Sequence, residues 1–366
     1  MALLDFNRLF PTPKYLLPPV AGLDISDQSI KFIELRRRRR FEVVKYGDQS
    51  IPAGIIESGA VRDEKGLVDV LKQLKNEHGL SDVVASLPEE EAFVVQLTLP
   101  ADLHPSEIRG ALELQLEEHV PLPISEAVFD YEILSGPIKG RVNGYEVGVS
   151  VFPKKIAGAY SEALANAGLR PLALEIEAQA IARSVVPAGD ERLVMIVDFG
   201  KTRISFFIVS GSAILFTTTA EQIGGDDLTK AIQKGLNLSH EEAEEVKINE
   251  GLLVGRRRRD LFFSLLPIVS VLRDEIIKHC GWWNSRRGGS GVFDRPIEQV
   301  VVCGGQATLP GLIDYLRLNL DWPVELGNPW SNIFSFEEQI PPINLNQAQR
   351  YATSLGLALR GLISGK

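Results

Sequence analysis

Along this chain, short stretches with the two-residue period of a strand alternate with longer ones whose apolar residues return every three or four positions, as on one helix face. The strand-like signal repeats itself in two places, GLDISDQSIKFIEL at Gly22 to Leu35 and VMIVDFGKTRISFFIV at Val194 to Val209. In each, an apolar run ends in Asp, a short polar turn follows (Ser26 to Ser29, then Gly200 to Arg203), and a second β-rich run leads away. Each therefore predicts a hairpin. A third piece, IEQVVVCGGQATLPGLIDYL, predicts a strand running into Gly304 and Gly305 and then a helix, and IGGDDLTKAI at Ile223 to Ile232 lies between the second and third pieces.

Between the first two hairpins a smaller unit is legible. Phe93, Val95, Leu97 and Leu99 alternate with polar or smaller residues, which predicts a strand with one buried face. After Pro105, Ile108, Leu112, Leu116 and Val120 recur at helical spacing, with Glu107, Arg109, Glu113 and Glu117 off that stripe. Two more alternating runs, Val128 to Leu134 and Tyr145 to Phe152, precede a second amphipathic helix through Ile156, Tyr160 and Leu164, capped at Gly168. The order β, α, β, β, α describes a module too small to bury much of itself.

Composition narrows the class. With 366 residues the chain is long enough for two or more domains, and 45% hydrophobic with 24% charged residues is ordinary for a globular protein. A net charge of −9 (39 basic against 48 acidic) argues against general nucleic-acid binding. Cys280 and Cys303 share no metal-ligand spacing and point to a reducing, cytoplasmic setting. The N-terminus has an early Asp5 and several prolines, unlike a signal peptide. The longest apolar run, Phe262 to Leu272, is far short of the ~20 residues of a membrane span. The histidines show no HExxH spacing, and neither GxSxG nor GxxxxGK[ST] occurs. Arg36 to Arg40 and Arg256 to Arg259 interrupt the acidic background; each reads as a solvated turn, with contact to anionic lipid headgroups as the alternative.

The hairpins carry the candidate chemistry. Turns of small side chains let backbone N–H groups approach phosphate oxygens, and a carboxylate at each strand end can hold the waters of a Mg²⁺ ion, so two facing hairpins would clamp a nucleotide's phosphates. Taken singly, each is an ordinary tight turn. The set of pieces in this order resembles the actin-like ATPase superfamily. Within it, EIRGALELQLEEHVPLPISEAVFDYEIL, with SLPEEEAFVVQLTLP before it and VGVSVFPKKIAGAYSEALANAGLRPLALEIEAQAIARSV after it, resembles the PilM family of type IV pilus assembly proteins, a relative of the cell-division protein FtsA.

That resemblance implies an α/β fold of two actin-like domains around a nucleotide cleft, with an inserted small α+β subdomain. The expected division is a first domain from residues 20–86 and 169–192, the insert at 87–168, a second domain from 193–216 and 299–366, a mainly helical part at 217–298, and an N-terminal extension at 1–19. It implies ATP and Mg²⁺ as cofactors. Asp24, Ser26, Gln28, Ser29 and Lys31 would form the first phosphate hairpin, and Asp198, Gly200, Lys201 and Thr202 the second, with Asp24 and Asp198 meeting the metal through water. Gly224 and Gly225 would line the cleft, Glu244 and Lys247 touch the ribose and adenine, and Gly304, Gly305 and Gln306 border the adenosine. Ser26 stands where the family usually has Gly; its hydroxyl either crowds the phosphates or donates to them. Glu177 occupies the place of a water-orienting catalytic residue, with Gln179 and a plain surface carboxylate as alternatives, so hydrolysis stays open.

The implied function is a cytoplasmic scaffold of pilus assembly, peripheral to the inner membrane, that holds the N-terminal peptide of a PilN-like inner-membrane protein between the insert and the first domain. Contacts with pilus motor ATPases and self-association belong to the same expectation; nucleic acid does not. The rival is an FtsA-like filament-forming membrane anchor, which calls for an amphipathic helix after the last domain, where this chain reads RYATSLGLALRGLISGK.

Overall fold

A computed structural model describes residues 17–136, 144–211, 213–220, 223–253, 259–286, 292–335, 337 and 339–363. The first predicted hairpin forms as β1 (Val20–Ile25) and β2 (Ser29–Arg37), extended by β3 (Phe41–Ser50). A short ribbon follows, β4 (Ile56–Glu57) with β5 (Ala60–Val61). Helix α1 (Glu64–His78) starts where the Asp63 carboxylate accepts from the Gly66 N–H, ends at left-handed Gly79, and buries Leu67, Val70, Leu71 and Leu74. It delivers the chain to β6 (Asp82–Leu87), parallel to β1.

The insert follows as β7 (Phe93–Leu99), α2 (Ile108–His119), β8 (Ala127–Ser135) and β9 (Tyr145–Pro153). Its sheet has the order β7-β9-β8, all antiparallel, and Ile108, Leu112 and Leu116 of α2 pack on Leu97, Val147 and Val149. Helix α3 (Lys154–Asn166), read from the sequence as part of this module, instead buries Tyr160, Ala163 and Leu164 in the core of the first sheet. Strand β10 (Arg170–Ile176) completes that sheet in the order β10-β6-β1-β2-β3, and α4 (Glu177–Val185) lies against it.

The second half repeats the plan. Strands β11 (Leu193–Phe199), β12 (Ile204–Ser210) and β13 (Ala213–Ala220) form an antiparallel meander, and helices α5 (Gly225–Leu236), α6 (His240–Asn249) and α7 (Arg259–Ser285) follow. Then come β14 (Gln299–Cys303), α8 (Leu312–Asn319) and β15 (Val324–Leu326). The sheet order β13-β12-β11-β14-β15 mirrors the first sheet, with three antiparallel strands joined to parallel ones through the strand that ends in Asp. Helix α7 turns Leu265, Val269, Leu272, Ile276, Cys280 and Trp283 inward, while its neighbour Trp282 stays 43% exposed. Burial pushes the Cys280 thiol up to about 12 and leaves it a core residue.

Short α9 (Leu345–Ala348) leads to α10 (Ala352–Ile363), apolar nearly all round. The sequence reading grouped α10 with the second half; it covers the first sheet, with Leu355, Leu357, Leu359 and Leu362 clustered on Val20, Ile33, Leu35 and Val84. Its approach to α4 is so close that a Cβ on Gly356 would stand 1.7 Å from the Ala180 carbonyl oxygen. Among the described residues, no helix is long and apolar enough to cross a membrane.

Candidate functional site

Both predicted turns lie at the ends of strands that bury nearly every side chain, so their geometry is set by the sheets. In the first, the Ser26 N–H and hydroxyl both donate to the Ser29 carbonyl at 3.0 Å, and the Ser29 N–H donates back to Ser26 Oγ at 3.3 Å. The Ser26 hydroxyl thus closes its own turn. Asp24 faces Lys31 across the β1–β2 ladder, Nζ to Oδ2 3.5 Å. The Asp27 carboxylate turns away to accept from the Ser58 and Gly59 amides.

In the second turn the Gly200 N–H donates to the Arg203 carbonyl at 3.0 Å. Helix α5 docks on its far side, its Gly225 and Asp226 amides donating to the Gly200 and Lys201 carbonyls at 3.1 and 2.9 Å. These helix-end donors are thereby satisfied by protein. The amides of Asp27, Gln28, Lys201 and Thr202, at the apices, take no part in closing either turn. Lys201 Nζ reaches Gln28 Oε1 at 3.4 Å, so the two hairpins face each other.

The third motif closes on the second. Gly304 has φ +90°, and a Cβ there would lie 2.2 Å from Asp198 Oδ1, so only glycine admits that carboxylate. The Gln306 N–H donates to the Phe199 carbonyl at 2.9 Å, and the Gln306 side chain lies against Gly225. Gly305 is bordered by Arg350. Gly224 begins α5, its N–H donating to Asp227. Glu244 and Lys247 share one face of α6, as their spacing predicts, and pair at 2.6 Å. Lys247 is buried, and its ammonium also donates to Thr229 Oγ1 at 2.8 Å and the Gly225 carbonyl at 3.2 Å. Its three donors are used within the protein, which makes it a tie between α6 and α5.

Charge is concentrated beneath the hairpins. Asp198 is raised to about 6 by burial and by the Asp24 charge, against the pull of Arg203 and Lys31. Glu177, the first residue of α4, is 6% exposed, so the surface-carboxylate alternative fails. Burial, then the charges of Asp24, Glu90 and Glu89, push its carboxyl well above the ordinary range despite the opposing Arg203. Arg203 holds the cluster together: Nη2 donates to both Glu177 oxygens at 3.2 and 3.3 Å and Nη1 to Glu90 at 2.6 Å. Buried Glu89 accepts from Thr217 Oγ1 at 2.6 Å and from the Ala178 N–H at 3.0 Å. Gln179 points elsewhere, toward Ser150.

Two clefts lie on that other side, between the insert, α4 and α10, of about 220 and 610 Å³. Asp130 to Leu134 of β8 border them; β8 is an edge strand, so one row of its backbone groups is unpaired within the sheet. Glu175 anchors the floor, accepting from Arg183 at 2.7 Å and from Arg360 at 2.8 Å, while Arg360 also reaches Asp130 of β8 at 3.9 Å. The Arg360 Nε is buried without a protein acceptor among the described residues.

The family model of the type IV pilus assembly protein PilM matches residues 22–362. The chain belongs to the PilM family. A solved PilM–PilN type IV pilus biogenesis complex is similar, with 23% identity, coverage of 96% of this chain and 99% of that one, and a TM-score of 0.74. More distant likenesses, both with TM-score 0.53, are the ethanolamine utilization protein EutJ of Carboxydothermus hydrogenoformans (15% identity, 95% and 91% covered) and MreB5 of Spiroplasma citri solved with ADP (14%, 97% and 98%). The fold of this PilM-family chain is therefore the actin-like one.

Within it, the structure brings Asp24, Gln28, Lys31, Asp198, Lys201, Gly225, Gly304 and Gln306 together, and joins Lys247 to them through Gly225. The donor set suits a hydrated hard cation: of two carboxylates close enough to interact, one is already paired with Lys31, and the other is raised by burial and then by like charge, which a cation would relieve. Sequence reasoning missed Arg203, Glu89, Glu90 and Thr217. The signal was three glutamates, Glu89 to Glu91, directly after a wholly buried strand, where solvated charge is out of place.

Proposed function

We propose that this PilM-family chain is a scaffold of type IV pilus assembly that captures the N-terminal peptide of a PilN-like inner-membrane protein in the clefts beside β8, on the cytoplasmic face of the membrane. The solved relative's description as a PilM–PilN complex motivates the partner. The observation that carries the placement is an open strand edge bordering two clefts with an arginine floor, which suits an extended peptide that pairs by backbone and inserts alternate side chains. Arg183 and Arg360, held by Glu175, would donate to the peptide's carbonyls or to an acidic side chain.

The facing hairpins are the proposed site for ATP with Mg²⁺. Apex amides, Lys31 and Lys201 would meet the phosphates, and Asp24 and Asp198 the waters of the metal, whose chemistry is to neutralise phosphate charge. Glu177, if it acts, would do so as a base, since its raised proton affinity suits that task. Arg203 supports a link between the sites: it joins the second hairpin to Glu90, where the chain enters the insert. Nucleotide would thus bias the placement of the insert and the width of the groove.

Calorimetric titration with the partner peptide, with and without Mg-ATP, tests this. Binding that falls at least tenfold in Arg360→Ala is expected, with a different affinity when nucleotide is present. No binding in either condition would end the proposal, and equal affinities would end the coupling alone.

A further inference from the structure

The arginine run Arg36 to Arg40 forms the tip of the β2–β3 hairpin, at the end of the first sheet opposite the Asp24 turn. Burial drops abruptly there: Leu35 is fully buried, whereas Arg38, Arg39 and Arg40 are exposed. Residues 36–42 hold five arginines against the single acid Glu42, which lies 3.9 Å from Arg38. The Arg37 guanidinium stacks 5.0 Å over Phe41, which braces the tip and keeps that charge at its base. Among the described residues near the tip's root, Glu34 is paired with Lys45 at 3.4 Å and Asp82 with Arg170, and Val20 faces both Leu35 and Asp82 in register. An acidic chain of net charge −9 thus presents a concentrated positive point at one end of one sheet.

Its position relative to the groove gives that charge a direction. Leu362 near the end of α10 packs in the same cluster as Val20 and Leu35, and the next residue, Ile363, lines the larger cleft. The arginine tip and one mouth of the groove therefore flank the same helix end. A peptide tail that begins a membrane protein keeps the groove within a short tether of the bilayer, and so brings the tip to the surface.

We propose that the β2–β3 tip is a docking point for an anionic lipid surface, a second contact that orients the scaffold on the membrane; it rests on the groove reading for its direction, though not for its charge. Juxtaposed arginines of this number bind acidic headgroups through summed Coulomb attraction, and that attraction is screened by salt. Two weak attachments, tail and tip, act together because the first raises the local concentration for the second.

The test is co-sedimentation of the full chain with vesicles of phosphatidylcholine alone, or mixed in equal parts with phosphatidylglycerol. Binding only to the anionic vesicles is expected, weakening with added salt and falling on the order of a hundredfold in the triple variant Arg38→Ser, Arg39→Ser, Arg40→Ser. A variant with exposed Lys154 and Lys155 changed to Ser should bind as the parent does. Peptide titration of the arginine variant should be unchanged, which separates failure of the tip from failure of the groove. No sedimentation with anionic vesicles, equal binding to neutral ones, or binding by the triple variant within twofold of the parent would overturn the proposal. Displacement from vesicles by short duplex DNA at equal charge would overturn it too, in favour of a nucleic-acid contact.

Discussion

The two hairpins share a sequence pattern and a strand plan, yet they find the partners for their charged groups in different places. The first keeps its charge pair local: Ser26 and Ser29 close the turn, and Asp24 has its cation, Lys31, directly opposite on the adjacent strand of the same hairpin. The second closes its own turn but draws its charge partners from elsewhere. Its carboxylate Asp198 sits against Gly304 and Cys303 of another strand, its turn carbonyls hold the start of α5, and its last residue, Arg203, neutralises glutamates from the insert's entry and from α4. One motif can therefore be a local clamp in one place and a hub in another, according to whether its polar partners are local in sequence.

The sharpest way to break this comparison is to remove each hairpin's cation. Arg203→Met should cost about 3–5 kcal/mol in urea unfolding, because Glu90 and Glu177 stay buried without their partner. Lys31→Met should cost less, about 1–2 kcal/mol, since Lys31 makes one ion pair at 3.5 Å where Arg203 holds two carboxylates. Similar losses would dissolve the distinction. Next, Gly304→Ala should cost about 2–4 kcal/mol from positive-φ strain and the clash with Asp198, read as a lowered melting temperature.

A smaller effect follows from proton binding. The folded state raises Asp198 from its ordinary 3.8 to about 6, so this group's stabilising contribution is present below about 4 and is lost as pH rises through 6. With Asp198 partly exposed, the loss should be about 1–2 kcal/mol, and Asp198→Asn should flatten that slope. Glu177, raised in the same direction, extends the decline to higher pH. Millimolar Mg²⁺ at pH 8 should restore stability in the parent but not in Asp198→Asn. Smallest of all, Ser26→Gly should cost about 0.5–1 kcal/mol, the worth of the turn bonds made by its hydroxyl.

What the sequence by itself determined is local. Both hairpins, the GG-to-helix unit, the amphipathic helices at Ile108 and Ile156, and the shared helix face of Glu244 and Lys247 all follow from periodicity and turn chemistry within some tens of residues. The family resemblance extended that reading to the cleft, because its residues sit inside those local motifs. Tertiary structure alone decided where α3 and α10 pack, since an apolar helix face names no partner: α10 could have served either sheet, and Gly356 and Gly22 let it seat on the first. It alone assembled the charge cluster of Glu89, Glu90, Glu177 and Arg203, whose members come from three separate segments. Buried charge is tolerable only where opposite charge and donors converge, and convergence across more than a hundred residues is a property of the folded chain.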